Sequence, residues 1–221
     1  MRELIKIIGI MLLFFMVAFV VAKTTGFLSL EQIKGWLLQL QAAPRIYLAV
    51  MIIALLCLDL FITVPTLGLI MLSGYFLGYP LGVVVSITGL TLAGSSGYLL
   101  SHRFGHRLLR IVVKDPEKRA DMTDMFHKHG FVMILLSRAL PMLPEVTSCL
   151  SGATRLAFSK FIGAWLMGNI PYVLIAAYSG SISRPGNPLP ALFTAIGITT
   201  FLWLGWFLFH RAQSARAEER N

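Results

Sequence analysis

The sequence predicts an all-α, polytopic integral membrane protein with two oppositely oriented re-entrant helical hairpins, an inverted repeat, and about four full spanning helices. Three observations carry this reading. The first is composition: hydrophobic residues make up 57% of the 221 and charged residues only 13%, with a mean hydropathy of +0.77. A soluble domain carries about 25% charge, so this chain lacks the residues to coat a water-facing surface. The second is that two long apolar stretches are broken in the middle by proline and formal charge. The third is the uneven placement of lysine and arginine along the chain. Together they exclude a soluble enzyme, a disordered chain and a disulfide-framed secreted domain. Cys57 and Cys149 both lie inside apolar runs, which argues against a structural disulfide and against zinc.

The first spanning helix is placed over Ile7 to Ala22, behind Arg2 and Lys6. With Leu4 and Ile5 it covers the roughly 30 Å hydrocarbon core at about 1.5 Å per residue. A cleavable leader ending at Val20-Val21-Ala22 is the other reading of this stretch. From Ser29 to Ala43, a capping box of Ser29 and Gln32 and one apolar face of Leu30, Ile33, Leu37 and Leu40 predict a helix. With Trp36 beside that face it fits the membrane interface; an ordinary packing helix fits as well. Residues 1–45 form this N-terminal unit.

The core is placed at residues 46–184. From Ile46 to His102 the only formal charge is Asp59, and the stretch breaks at Asp59 and Thr63-Val64-Pro65-Thr66. Arms at Ile46–Leu58 and Leu67–Gly78 are too short to cross alone, so they predict a re-entrant hairpin turning at Pro65. A full span follows from about Pro80 to Ser101. The polar segment His102–Gly130 carries Arg103, Arg107, Arg110, Lys114, Lys118, Arg119 and Lys128. Asp115-Pro116 supplies an N-cap with a first-turn proline, and Gly130 a helix stop, which predicts a pair of basic surface helices. Phe131–Thr154 is interrupted by Arg138, Pro141, Pro144 and Glu145. One ordinary span would hold all four near the bilayer centre, at high cost. A second hairpin, with arms at Phe131–Leu140 and Val146–Thr154, places them at a protein-lined turn instead. Spans at Phe161–Ser179 and Pro190–Phe209 complete the chain, residues 185–221 forming a last span and a basic tail.

Charge sets the orientation. With both termini cytoplasmic and each hairpin returning to its own side, the inside holds Arg2, Lys6, the central basic segment, Arg155, Lys160, Arg211, Arg216 and Arg220. The outside holds Lys23, Lys34, Arg45 and Arg184. A first hairpin that crossed twice would put the basic segment outside, against the positive-inside rule. The net charge of +9 therefore points to anionic lipid rather than nucleic acid.

The two interrupted segments are alike. Val64-Pro65, Leu67 and Ser73-Gly74 correspond to Leu140-Pro141, Leu143 and Ser151-Gly152. Similar units of opposite orientation, each with a broken helix, are a signature of inverted-repeat transporters, whose site lies where the halves meet. Ser137-Arg138-Ala139-Leu140-Pro141-Met142-Leu143-Pro144, then Ser151-Gly152-Ala153-Thr154, Phe158, Phe161 and Gly168-Asn169-Ile170-Pro171 together resemble the DedA-like superfamily, also called VTT-domain or SNARE-associated Golgi proteins. Ser73-Gly74-Tyr75-Phe76-Leu77-Gly78, Gly82, Gly94 and Gly97-Tyr98 to Phe104-Gly105 are similar to its first half. The resemblance covers about Leu58 to Gly180. It implies two opposed hairpins in a bacterial inner-membrane or organelle setting. It also implies flipping of undecaprenyl phosphate or phospholipids, in some members with proton coupling. Two departures stand out: Asp59 is the only acid of the first hairpin, and Pro144-Glu145 stands where many members have a second arginine. The pattern is closer to the R-x-x-P-x-x-P of the eukaryote-like branch.

Arg138 is the leading substrate-binding candidate, because a guanidinium holds a phosphate through two parallel hydrogen bonds. Asp59 and Glu145 are candidates either for taking up protons or for neutralising Arg138. Asn169 is a fourth, since it and Pro171 interrupt a span and free backbone groups to line a cavity. Pro65, Pro141, Pro144, Gly74, Gly152 and Pro171 are expected to shape the hairpins. His102 and His106 are spaced i, i+4, with His127 and His129 nearby, but a metal site needs further ligands and none is expected. No cofactor is expected either. Without a P-loop, H-E-x-x-H or G-x-S-x-G pattern, an enzyme is not indicated. The expected function is a scramblase or translocase for a phosphate-bearing lipid in the bacterial inner (plasma) membrane, with anionic or phosphate-bearing lipids as partners and a homo-oligomer compatible with the sequence. A coupled small-solute carrier and a non-transporting assembly scaffold are the alternatives.

The topology has a direct test. Single cysteines at Gly130 and Arg155, with Cys57 and Cys149 replaced, are expected to be labelled only from the cytoplasmic side. Labelling from opposite sides would replace the second hairpin by an ordinary span.

Overall fold

The computed structural model describes residues 30–39, 44–60, 64–112, 115–139 and 143–183, with short helical pieces at 193–194, 196–197 and 200. The expected first span, most of the expected last span, the basic tail and Pro141 lie outside the described residues. Everything regular among the described residues is helical: α1 Leu30–Gln39, α2 Arg45–Leu58, α3 Thr66–Leu77, α4 Tyr79–Val112, α5 Pro116–Leu136, a 3₁₀ turn Ser137–Ala139, α6 Leu143–Ala153 and α7 Phe158–Ile182.

Local chemistry sets the ends of these helices. Pro65 precedes α3 with φ −69°, and its fixed φ suits the entry to a helix. Gly78 then takes φ +81° between α3 and α4, a left-handed conformation that costs a glycine almost nothing. Pro80 follows in the first turn of α4, where its missing N–H is not needed. Asp115 caps α5 as the sequence predicts, its side chain accepting the Glu117 N–H at 3.0 Å. After α6, Arg155 adopts φ +56°. The Arg155 N–H reaches Gly152 O, and the Leu156 N–H reaches Ser151 O, both at 3.0 Å, closing the helix as a Schellman turn.

Two expected boundaries move. Gly130 does not stop α5, which runs on to Leu136. Gly130 is buried, and its Cα faces the Phe126 ring; the apolar run beyond it continues the helix. The full span and the first basic surface helix are one 34-residue helix, α4, because Gly105 packs against Ala153 rather than bending the chain. Two helices among the described residues are long and apolar enough to cross a membrane, Tyr79–Gly105 and Phe158–Ile182. At about 1.5 Å per residue, α2 with 14 residues, α3 with 12 and α6 with 11 fall short of a roughly 30 Å core.

The long helices α4 and α7 run antiparallel. Tyr79, which opens α4, meets Tyr178 near the end of α7 at 5.6 Å between ring centroids. Phe158, which opens α7, meets Tyr98 at 5.2 Å, and between them Trp165 Nε1 donates to Leu90 O at 3.2 Å. Two of the short helices, α3 and α6, each cross the long helix of the opposite half. A Cβ on Gly74 of α3 would strike the Ala177 carbonyl of α7, and one on Gly180 would strike that of Met71. Likewise Gly152 of α6 lies on the Tyr98 carbonyl of α4. Such backbone contact is open only to glycine, and small residues bring helices close in membranes. Two apolar clusters result. One joins α1, α2 and α3 to the start of α4 and the end of α7, around Leu56, Ile70, Val85 and Val173. The other joins α5 and α6 to the far part of α4 and the start of α7, around Phe126, Leu150, Phe161 and Trp165.

Replacing Gly74 or Gly152 with alanine is therefore expected to cost about 3 kcal/mol, since a backbone carbonyl cannot step aside. Gly163, with nothing within 4 Å of an added Cβ, is the control and should tolerate alanine. Thermal unfolding of the detergent-purified variants checks both.

Candidate functional site

Between the two apolar clusters lies a polar layer. A small cavity is lined there by Asp59, Leu60, Leu90, Ala93, Gly94, Arg138, Glu145, Ser148 and Trp165. Leu90, Ala93 and Gly94 stand near the middle of the apolar stretch Tyr79–Gly105, and Asn169 stands near the middle of Phe158–Ile182. The site thus sits at mid-length of both long helices. Three of the four substrate-binding residues expected from sequence line this cavity, and the fourth, Asn169, touches one of them.

Arg138 lies in the 3₁₀ turn that ends α5. The Ser137 hydroxyl beside it donates to Ile134 O at 2.6 Å, which fixes the turn. The guanidinium donates from Nε to Asn169 Oδ1 at 2.7 Å, and Asn169 in turn donates from Nδ2 to Trp165 O at 2.7 Å. The guanidinium carbon stands 5.8 Å from the Trp165 ring centroid and 5.2 Å from that of Tyr172, inside cation–π range. No carboxylate among the described residues makes a direct ion pair with Arg138; its partners are an amide and two rings.

The two carboxylates differ in their surroundings. Asp59 follows α2 and ties the chain back on itself: Oδ1 accepts the Val64 N–H at 2.8 Å, and Oδ2 accepts the Thr66 hydroxyl at 2.7 Å. Its oxygens organise the turn around Pro65. Glu145 lies in the first turn of α6, where unpaired N–H groups favour an anion. Pro144, one residue earlier and buried, costs no hydrogen bond at that place. Glu145 Oε2 is sealed from solvent and has no hydrogen-bond partner among the described residues. The Ser148 hydroxyl, one turn on, donates to Gly94 O at 2.6 Å and pins α6 to α4 beside the cavity.

Pro171 lies inside α7, two residues after Asn169, without ending the helix. Among the histidines, His127 Nε2 meets Thr154 O at 2.8 Å and His129 Nδ1 meets Met125 O at 3.3 Å. No cluster of three metal-ligating side chains occurs among the described residues. Trp165 and Tyr172 were not among the candidates taken from sequence. Their signal is the stripe Trp165, Asn169, Tyr172 at i, i+4, i+7, which puts all three on one face of α7.

The family pattern of the VTT domain matches residues 64–182, more than half of the chain. Arg138, Glu145 and Asn169 fall inside the match, and Asp59 just before it. The chain is similar to the uncharacterized protein YqeD of Bacillus subtilis, with 24% identity over 178 residues, covering 80% of this chain and 81% of that protein. No solved structure matches the chain.

The Asp59 geometry yields an expectation. Asp59→Leu strands the buried Val64 N–H and should lower stability by about 2 kcal/mol or more. Asp59→Asn keeps an oxygen for Val64 and should cost about half as much, again by thermal unfolding in detergent.

Proposed function

This chain belongs to the VTT-domain family of membrane proteins, and from that membership and the setting of Arg138 we propose that it moves a phosphate-bearing lipid between leaflets. The observation that carries the proposal is a guanidinium beside a cavity at mid-length of two long apolar helices, hydrogen-bonded through Nε alone among the described residues. A charged group at such depth is expensive and marks a substrate pathway by default. A guanidinium also presents a fork that matches two phosphate oxygens. In this reading α2 with α3, and the end of α5 with α6, are the two re-entrant hairpins. Both termini face the cytoplasm, and the membrane is the bacterial inner membrane.

The headgroup phosphate is held by Arg138 partway across while the acyl chains stay in lipid. Glu145 and Asp59 balance the charge of Arg138 when the site is empty, at longer range than a direct ion pair. The short helices give the site its two-sided access: each ends at the polar layer, so neither leaflet is separated from it by a whole membrane thickness.

The test is lipid flipping in liposomes with a panel of fluorescent headgroups, on variants that insert equally. Arg138→Lys keeps the charge but loses the fork, and should lose at least ten-fold in rate; Arg138→Gln should do the same. Restoration of full transport by Arg138→Gln together with Asp59→Asn would instead make the arginine a structural charge partner. Flipping independent of the headgroup phosphate would overturn phosphate recognition.

A further inference from the structure

We propose that Trp165 and Tyr172 are positioning residues that take the place of a direct ion-pair partner for Arg138, holding its guanidinium in the apolar layer with its terminal nitrogens unbonded among the described residues and open to a ligand, while Asp59 and Glu145 balance its charge only at longer range; the ligand named here, a lipid phosphate, rests on the function proposed above. A buried arginine ordinarily needs a carboxylate, and a carboxylate would occupy the hydrogens that a phosphate requires. Aromatic faces attract the delocalised cation without accepting those hydrogens in conventional hydrogen bonds. Trp165 and Tyr172 stand 5.8 and 5.2 Å from the guanidinium carbon, and Asn169 takes Nε from the same face of α7.

The indole is itself held from behind. Its Nε1–H donates to Leu90 O, and its ring lies where a Cβ on Gly94 would stand. Asn169 is oriented by its bond to Trp165 O, which turns its amide oxygen toward Arg138. The position of the guanidinium therefore depends on α7 and, through Trp165, on α4. Asp59 cannot readily replace the rings, because both its oxygens serve the Pro65 turn.

Trp165→Phe and Trp165→Leu separate this role from packing. Both lose the Nε1 hydrogen bond to Leu90, and only the leucine loses the ring face. Each is assayed in phosphate-free digalactosyldiacylglycerol liposomes containing graded mole fractions of fluorescent phosphatidylglycerol. The leucine variant is expected to raise the half-saturating fraction about tenfold with a smaller change in maximal rate, and the phenylalanine variant to stay within about twofold of the parent. Equal effects of the two, or a loss confined to maximal rate, would overturn the role. A double-mutant cycle of Trp165→Leu with Arg138→Gln, read as melting temperature in detergent, needs no lipid. Non-additivity is expected, with Trp165→Leu costing less than half as much once the guanidinium is gone; additive effects would overturn the positioning role. If the cycle couples while Arg138→Lys flips lipid like the parent, the positioning stands and the lipid reading falls.

Discussion

An arginine in the middle of an apolar helix bundle is the constraint on which the rest of this structure depends. Insertion scales put its cost at about 2.5–3.5 kcal/mol at a helix centre, and the surrounding residues are arranged to offset it. Arg138 is met by an amide and two rings, all from α7. The carboxylates of Asp59 and Glu145 line the same cavity without closing on it. The hydroxyls of Thr66 and Ser148 are committed to Asp59 and to the Gly94 carbonyl. The polar layer is thus largely satisfied internally, as a low-dielectric setting demands, and Glu145 Oε2 is the exception among the described residues.

That layer exists only because the helices approach closely enough to seal it. The α3–α7 crossing at Gly74 and Gly180, and the α6–α4 crossing at Gly152, bring backbone against backbone. Each crossing joins a short helix of one half to the long helix of the other. The cavity is consequently built from both halves: Asp59 and Gly94 come from the first, Arg138, Glu145 and Trp165 from the second. Buried serines line the helix contacts as well. Ser73 meets Ser86 at 2.7 Å at the α3–α4 turn, and Ser148 reaches Gly94 O across α6–α4. Small hydroxyl residues serve where a larger side chain would hold the helices apart.

Much of this was legible in the sequence, and the failures have physical causes. The break at Val64-Pro65 and the Asp115-Pro116 start are local signals, because proline and an aspartate cap act within one turn of chain. Gly130 misled as a stop, because a glycine packed against a ring stays helical. The grouping of Asp59, Arg138 and Glu145 could be inferred from their being formal charges in apolar sequence. The bonding of Asp59 could not, since the turn after α2 needs an acceptor for the Val64 N–H and the sequence does not reveal that demand. Trp165 and Tyr172 escaped because aromatic residues on a membrane helix look the same whether they face lipid or a buried cation.

The two halves are unmatched in charge. Tyr79 with Tyr178 and Phe158 with Tyr98 each join the first residue of one long helix to a residue far along the other. The two turns differ in what they carry. The first half brings one acid, spent on its own turn; the second brings a base resting on α7 and an acid with an unpartnered oxygen. Around Tyr98 the stacking extends to His102 and Phe161, and the Tyr98 hydroxyl reaches Leu156 O at 2.6 Å. Around Tyr79 the ring contact is to Tyr178, which is 55% exposed. The Tyr98 end is thus tied by three ring contacts and a hydrogen bond, the Tyr79 end by one ring contact among the described residues.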